Sequence, residues 1–152
     1  MAVADRHLSW LVDDADFPAA GNTADRLRFA LRYAVLAPSS HNSQPWLFRV
    51  EGKAVEVYAD RRRRLPVVDP DDRELVMSCG AALYNLRLAL SHIGEGVDVS
   101  ILPNGTDSDL LARVELTGRP ATPNAETENL FPAITNRYTC RSAFDQTPVD
   151  QK

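Results

Sequence analysis

The chain of 152 residues has little cysteine, few histidines and no excess of positive charge. Its 2 cysteines, Cys79 and Cys140, stand far apart, with no CxxC spacing, and the 3 histidines are scattered. That excludes a zinc-type ligand pattern, so no metal is expected. Both cysteines are expected to be reduced thiols. Lysine and arginine number 17 against 21 aspartates and glutamates, a net charge of −4. General nucleic-acid binders are usually basic, so no nucleic-acid partner is expected. No apolar run approaches the roughly 20 residues of a membrane helix. Asp5, Arg6 and His7 lie where a signal peptide carries its apolar stretch, which predicts a cytoplasmic protein with no membrane partner.

What remains is ordinary globular composition, 44% hydrophobic and 25% charged, in a length suited to one core. Residues 1–22 lack periodicity and carry Asp13, Asp14 and Asp16. They read as a surface arm, or as a short helix packed on a partner. Leu27, Leu31 and Ala34 recur at helical spacing and predict a helix from Thr23 to Leu36. Asn22 or Thr23 can cap it, and Pro38 ends it. Alternation at Trp46, Phe48 and Val50, then at Val55 and Val57, predicts a hairpin turning at Gly52.

A second helix is expected from Pro70, behind Asp69 as cap, to His92. Leu75, Cys79, Leu83, Leu86 and Leu90 form one stripe; Met77, Ala81, Tyr84 and Leu88 form another. A helix apolar on most of its circumference is expected to be buried on more than one side. Gly80 is expected to permit close packing there. Two further strands are expected around Val97–Ile101 and Ala112–Leu116, followed by a proline-rich loop from Gly118 to Asn124 and a short helix.

Two segments carry chemistry. Pro38, Ser39, Ser40, His41, Asn42, Ser43, Gln44, Pro45 and Trp46 follow one another between helix and strand. Their hydroxyls and amides both donate and accept, and the two prolines restrict the backbone. The group reads either as a capped turn bonding its own backbone or as the edge of a pocket for a planar, polar-rimmed ligand, with Trp46 as apolar wall. Near the end, Arg137, Thr139 and Arg141 alternate. Extended, they can converge on a phosphate; otherwise they form an exposed basic linker. Arg61 to Arg64 reads as a solvated loop.

The run Ala37 to Trp46 resembles the signature of the nitroreductase family, and residues 78–90 resemble its central helix. With Leu65 to Pro70, the combination is similar to the tandem FMN-binding subgroup related to the Acg proteins, in which two such halves share one polypeptide. The resemblance implies an α+β fold, a mixed or antiparallel sheet flanked by helices, incomplete as a single chain. It divides the chain into an arm (1–22), a nitroreductase-like half-domain (23–134) and the start of a second half (135–152).

It also implies FMN as cofactor. Pro38, Ser39, Ser40 and Asn42 would line the ring, with Gln44 a further neighbour. Arg137, Thr139 and Arg141 would grip the phosphate, while His41 occupies a variable, solvent-facing position. The implied activity is hydride transfer from NAD(P)H through the flavin to nitroaromatic or quinone acceptors. The alternatives are a non-enzymatic FMN-sequestering protein and an interaction fragment without ligand. A second half, or a second copy in a homodimer, is expected to close the site.

Overall fold

A computed structural model describes residues 11–122, 125–140 and 142–143. Helix α1 runs Thr23–Ala34, strand β1 Trp46–Glu51, β2 Ala54–Ala59, helix α2 Arg73–His92, β3 Glu95–Ile101, β4 Leu110–Pro120 and helix α3 Ala125–Asn136. The four strands form one antiparallel sheet in the order β1-β2-β4-β3. The fold is therefore α+β, with a wholly antiparallel sheet.

Local chemistry explains most boundaries. Asn22 and Asp25 form a reciprocal capping box at the start of α1, each side chain accepting the other's backbone N–H. The β1–β2 hairpin turns at Gly52, whose φ of 58° suits glycine. In β3 the register slips at Gly96, where an added Cβ would lie 2.4 Å from the Arg119 carbonyl oxygen. Only glycine admits that approach. Strand β4 extends to Pro120, into the segment expected as loop, because β3 continues to pair with it up to Glu95.

Helix α2 is the hub and touches both other helices and all four strands. Leu86, Leu88, Ala89 and Leu90 join Leu27, Phe29, Ala30, Tyr33, Val55 and Val114 in the main core. Its second expected stripe is only partly covered. Leu88 is buried and Ala81 half-buried, but Met77 is 60% exposed and Tyr84 45%. Val76 adjoins them, and Gly80 faces open space, where an added Cβ meets nothing within 4 Å. The described residues cover α2 from both other helices and from the sheet, as expected, and leave one strip bare along Val76, Met77, Gly80 and Tyr84. Cys79 is in the core, as its position in the first stripe suggests.

The start of α2 also differs from expectation. The helix begins at Arg73, not Pro70. Asp72 sits before it in the left-handed region, at φ 55°, and makes no side-chain cap. Asp69 supplies the cap from further back, its buried carboxylate accepting the Leu75 N–H at 2.9 Å. Burial pushes this carboxyl up, but the N–H groups of Leu75, Glu74 and Arg73 outweigh it and hold the carboxyl below its ordinary value.

The acidic stretch near residue 14 packs on its own chain. Asp14 opens a single 3-10 turn, Asp14–Asp16. The Tyr33 hydroxyl donates to its Oδ1 at 2.5 Å, and His92 Nε2 lies 3.0 Å from its Oδ2. Phe131 stacks on the His92 ring at 3.7 Å between centroids, tying α3 to the end of α2.

The lowered carboxyl of Asp69 sets the sign of a pH effect. Its contribution to stability is full above the unfolded value of 3.8 and is lost as the pH falls through the lower folded value. Asp69→Asn is expected to lower stability at neutral pH and to flatten the acid limb of a denaturant-midpoint profile below that value. An unchanged limb would remove Asp69 from the cap.

Candidate functional site

The turn after α1 is tightly specified by its own bonds. Leu36 and Ala37 are buried, and Pro38 follows exposed. The backbone N–H of Gln44 donates to Ser39 Oγ at 2.9 Å, and that of Asn42 donates to the Ser39 carbonyl at 3.0 Å. His41, Asn42 and Gln44 all have positive φ, at 51°, 56° and 49°. Asparagine tolerates this region, but histidine and glutamine each cost about 1–2 kcal/mol there. The surrounding structure holds the strained turn in place. Cys79 Sγ donates to the Pro45 carbonyl at 3.2 Å, and the Asp60 N–H donates to the same oxygen at 2.9 Å. Arg63 Nη1 donates to the Ser43 carbonyl at 3.1 Å. Burial pushes the Cys79 thiol up to about 11, with Arg61 opposing, so it stays protonated and keeps its donor.

Beside this turn lies an open cleft of about 510 Å³. Pro38, Ser39 and Ser40 form one wall; Arg73, Glu74, Met77, Ser78 and Ala81, from the start of α2, form the other; Thr139 completes it. Such a volume falls in the ordinary range for small-molecule sites. Thus Thr139, a hundred residues on in the chain, comes to the same place as Ser39 and Ser40. Arg137 stands just behind, its Nη2 donating to the Leu36 carbonyl at 2.9 Å and its Nη1 to Thr139 Oγ1 at 3.3 Å. Burial lowers the pKa of its guanidinium.

Other candidates fall elsewhere. Asn42 and Gln44 are exposed and do not line the cleft, and His41 is exposed as expected. Arg141 lies outside the described residues. Trp46, expected as apolar wall, is buried in the core with Ala37, Ala59, Leu75 and Cys79. The wall comes from Met77 and Ala81 instead, because Trp46 is the first residue of β1 and its side chain takes the inner face of the sheet.

The arginine tract is exposed at Arg62, Arg63 and Arg64, as expected of a solvated loop, but ion pairs tie it down. Arg61 spans Asp72 at 2.6 Å and Asp109 at 2.8 Å, and Arg62 pairs with Asp60 at 2.8 Å. Acidic partners 11 and 48 residues from Arg61 neutralise it, which no local pattern announces.

No family model matches the chain. Curated relatives do. Rv3131 of Mycobacterium tuberculosis, provisionally named an NAD(P)H nitroreductase, is 38% identical over 140 residues, 90% of this chain and 40% of its own length. Acg of the same organism, named likewise, is 35% identical over 127 residues, 83% of this chain and 38% of its own. PigM of a Serratia species, also provisionally named an NAD(P)H nitroreductase, is 32% identical over 135 residues, 83% and 36%. The chain belongs to the nitroreductase family. It spans about two fifths of the length of these curated relatives.

For this nitroreductase-family chain, sequence reasoning missed the contribution of α2 to the cleft. Glu74, Ser78, Met77 and Ala81 recur at three- and four-residue spacing, a polar edge beside an apolar one. That pattern was readable, but the strength of the apolar signal hid it. Among the described residues no cluster of His, Cys, Asp or Glu could hold a metal, and no helix is long and apolar enough to cross a membrane.

The two thiols should behave differently. Cys140 is exposed, whereas Cys79 is buried and its pKa is raised to about 11. A disulfide reagent at mildly alkaline pH is expected to modify Cys140 rapidly and Cys79 only on unfolding. Equal rates in the folded protein would mean that the Cys79–Pro45 contact opens freely.

Proposed function

We propose that this chain forms part of an FMN-dependent oxidoreductase of the nitroreductase type. The observation that carries the reading is the convergence of Ser39, Ser40 and Thr139 on one cleft beside a strained turn. The names of the relatives support it at the level of reaction class.

The residues present fit the cofactor. Ser39, Ser40 and Ser78 give hydroxyls for the polar rim of a flat heterocycle, and Met77 with Ala81 gives an apolar surface. Bound FMN would supply the redox chemistry, taking hydride from NAD(P)H and passing electrons to a nitroaromatic or quinone. The protein's part is to bind and orient. Ser39 and Ser40 hold the rim, with Asn42 and Gln44 on the exposed shoulder of the same turn. Arg137 and Thr139, together with Arg141, serve the phosphate.

The cleft is open on one side, where the bare stripe of Met77, Gly80 and Tyr84 continues from it. A second half of the same polypeptide, or a second copy of this chain, would cover that stripe and close the site. Its apolar character matches the core of an interface between permanent partners.

The decisive experiment is an absorbance spectrum of purified protein. A visible flavin band that is released on denaturation and bleached by NADPH supports the enzyme. A band that NADPH leaves intact points to the sequestering role, and protein that stays colourless with added FMN removes the flavin reading. Arg137→Ala is expected to weaken FMN binding about tenfold, more than it weakens riboflavin, because only FMN carries the phosphate. Equal losses for both flavins would reduce Arg137 to its contact with Leu36.

A further inference from the structure

The loop between β3 and β4 holds a dipeptide with its own chemistry, away from the cleft. Of the chain's asparagines only Asn104 is followed by glycine. Both Asn104 and Gly105 are exposed. A Cβ built on Gly105 meets nothing within 4 Å, so open space surrounds the glycine. Among the described residues the Gly105 N–H makes no hydrogen bond.

The Asn104 side chain is held at one end only. Its Oδ1 accepts the Thr106 N–H at 3.1 Å and the Thr106 hydroxyl at 2.7 Å. A backbone N–H can only donate, so the contact fixes which end of the amide is oxygen. The other end, Nδ2, makes no hydrogen bond among the described residues. Two donors on a carbonyl oxygen draw charge toward it, as an oxyanion hole does, and leave its carbon more open to a nucleophile. The main-chain carbonyl of Asn104 accepts the Asp107 N–H at 3.2 Å, which keeps the turn closed.

We infer that Asn104 is a site of intramolecular modification, in which the Gly105 nitrogen closes on the Asn104 side-chain carbon while Thr106 stabilises the charge on Oδ1. The Gly105 N–H gives its proton to base in the solvent, and that nitrogen forms a bond to Cγ. The Cγ–Nδ2 bond breaks, and Nδ2 takes up a proton and leaves as ammonia. Water then opens the succinimide at either carbonyl, giving aspartate or isoaspartate at position 104. Glycine, having no Cβ, lets the five-membered ring close without crowding. Either product carries a carboxylate where a neutral amide stood, and isoaspartate also lengthens the main chain by a methylene. The loop leads directly to the ion pair that joins β4 to the residue before α2: Asp107 Oδ1 accepts the Asp109 N–H at 3.0 Å, and Asp109 Oδ1 accepts from Arg61 at 2.8 Å.

The test is peptide mapping by mass spectrometry after the purified chain has stood in heavy-oxygen water at neutral and at mildly alkaline pH. The peptide holding Asn104 is expected to take up label, as aspartate and isoaspartate together. Uptake should be faster at the higher pH, because the Gly105 nitrogen must lose its proton. Gly105→Ala fits the open space, so it should fold and slow the reaction severalfold by crowding the ring closure. Thr106→Val keeps the backbone donor but lacks the hydroxyl, and should slow it about tenfold, the scale of one hydrogen bond. Thr106→Ser should restore the native rate. An Asn104 that stays unlabelled in the native chain overturns the site. A Thr106→Val chain that reacts as fast as the native one, or faster, overturns the part given to Thr106, since its bonds would then restrain the amide and not activate it.

Discussion

Anchoring the first turn of α2 is the constraint on which the rest of this structure depends. A helix start leaves backbone N–H groups without partners. Here the carboxylate of Asp69 reaches forward six residues to accept one of them. Asp72 then enters the left-handed region, and its carboxylate is held by Arg61, which also bonds Asp109 at the start of β4. The sheet and the helix are thereby fixed to each other at one end. That end carries Glu74, Met77 and Ser78, and through Cys79 it holds the carbonyl of Pro45. The turn after α1 is strained at three residues and stays so because both of its ends are tied, Pro45 to α2 and Leu36 to Arg137.

The charged residues therefore act more as joints than as surface. Glu56, buried on the outer face of the sheet, accepts from Arg49, Tyr58 and Arg113 across three strands. Burial raises its carboxyl and these donors lower it, with a net fall below the ordinary range. Removing Glu56 would strip all three donors of this partner at once, so the one carboxylate ties three strands together.

How much of this was legible in the sequence depends on the range of the interaction. The capping box at Asn22 and Asp25, the Gly52 turn and the inner stripe of α2 are local patterns, and each element came out where its pattern lies. The start of α2 was misplaced because Asp69 can cap in two ways. From sequence, the compact reading with Pro70 as first residue is equally good; the structure takes the more distant cap, with Asp72 paired to Arg61 across the fold. Trp46 was misassigned for a related reason. A residue at a loop–strand boundary can face the ligand or the core, and the phase of β1 decides. Within the site, the Ser39–Ser40 turn was visible as a cluster of small polar residues. Its neighbour across the cleft was masked by the two apolar stripes of α2, beside which Glu74 and Ser78 give only a weak local signal.

The outer stripe of α2 shows how a correct observation can give an incomplete prediction. Its hydrophobicity all round was real, and the inference that such a helix needs partners on more than one side was sound. Within the described residues it finds them in α1, α3 and the sheet, and one strip is left bare. The bare side is continuous with the cleft: Met77 and Ala81 belong to both. A partner that buried Met77 and Tyr84 would therefore necessarily wall in the space beside Ser39 and Ser40. Covering the helix and closing the pocket are one event, driven by the same apolar area. On this reading, the affinity of the site for a flat ligand is coupled to association, because ligand and partner share the Met77 surface and each removes from water what the other leaves exposed.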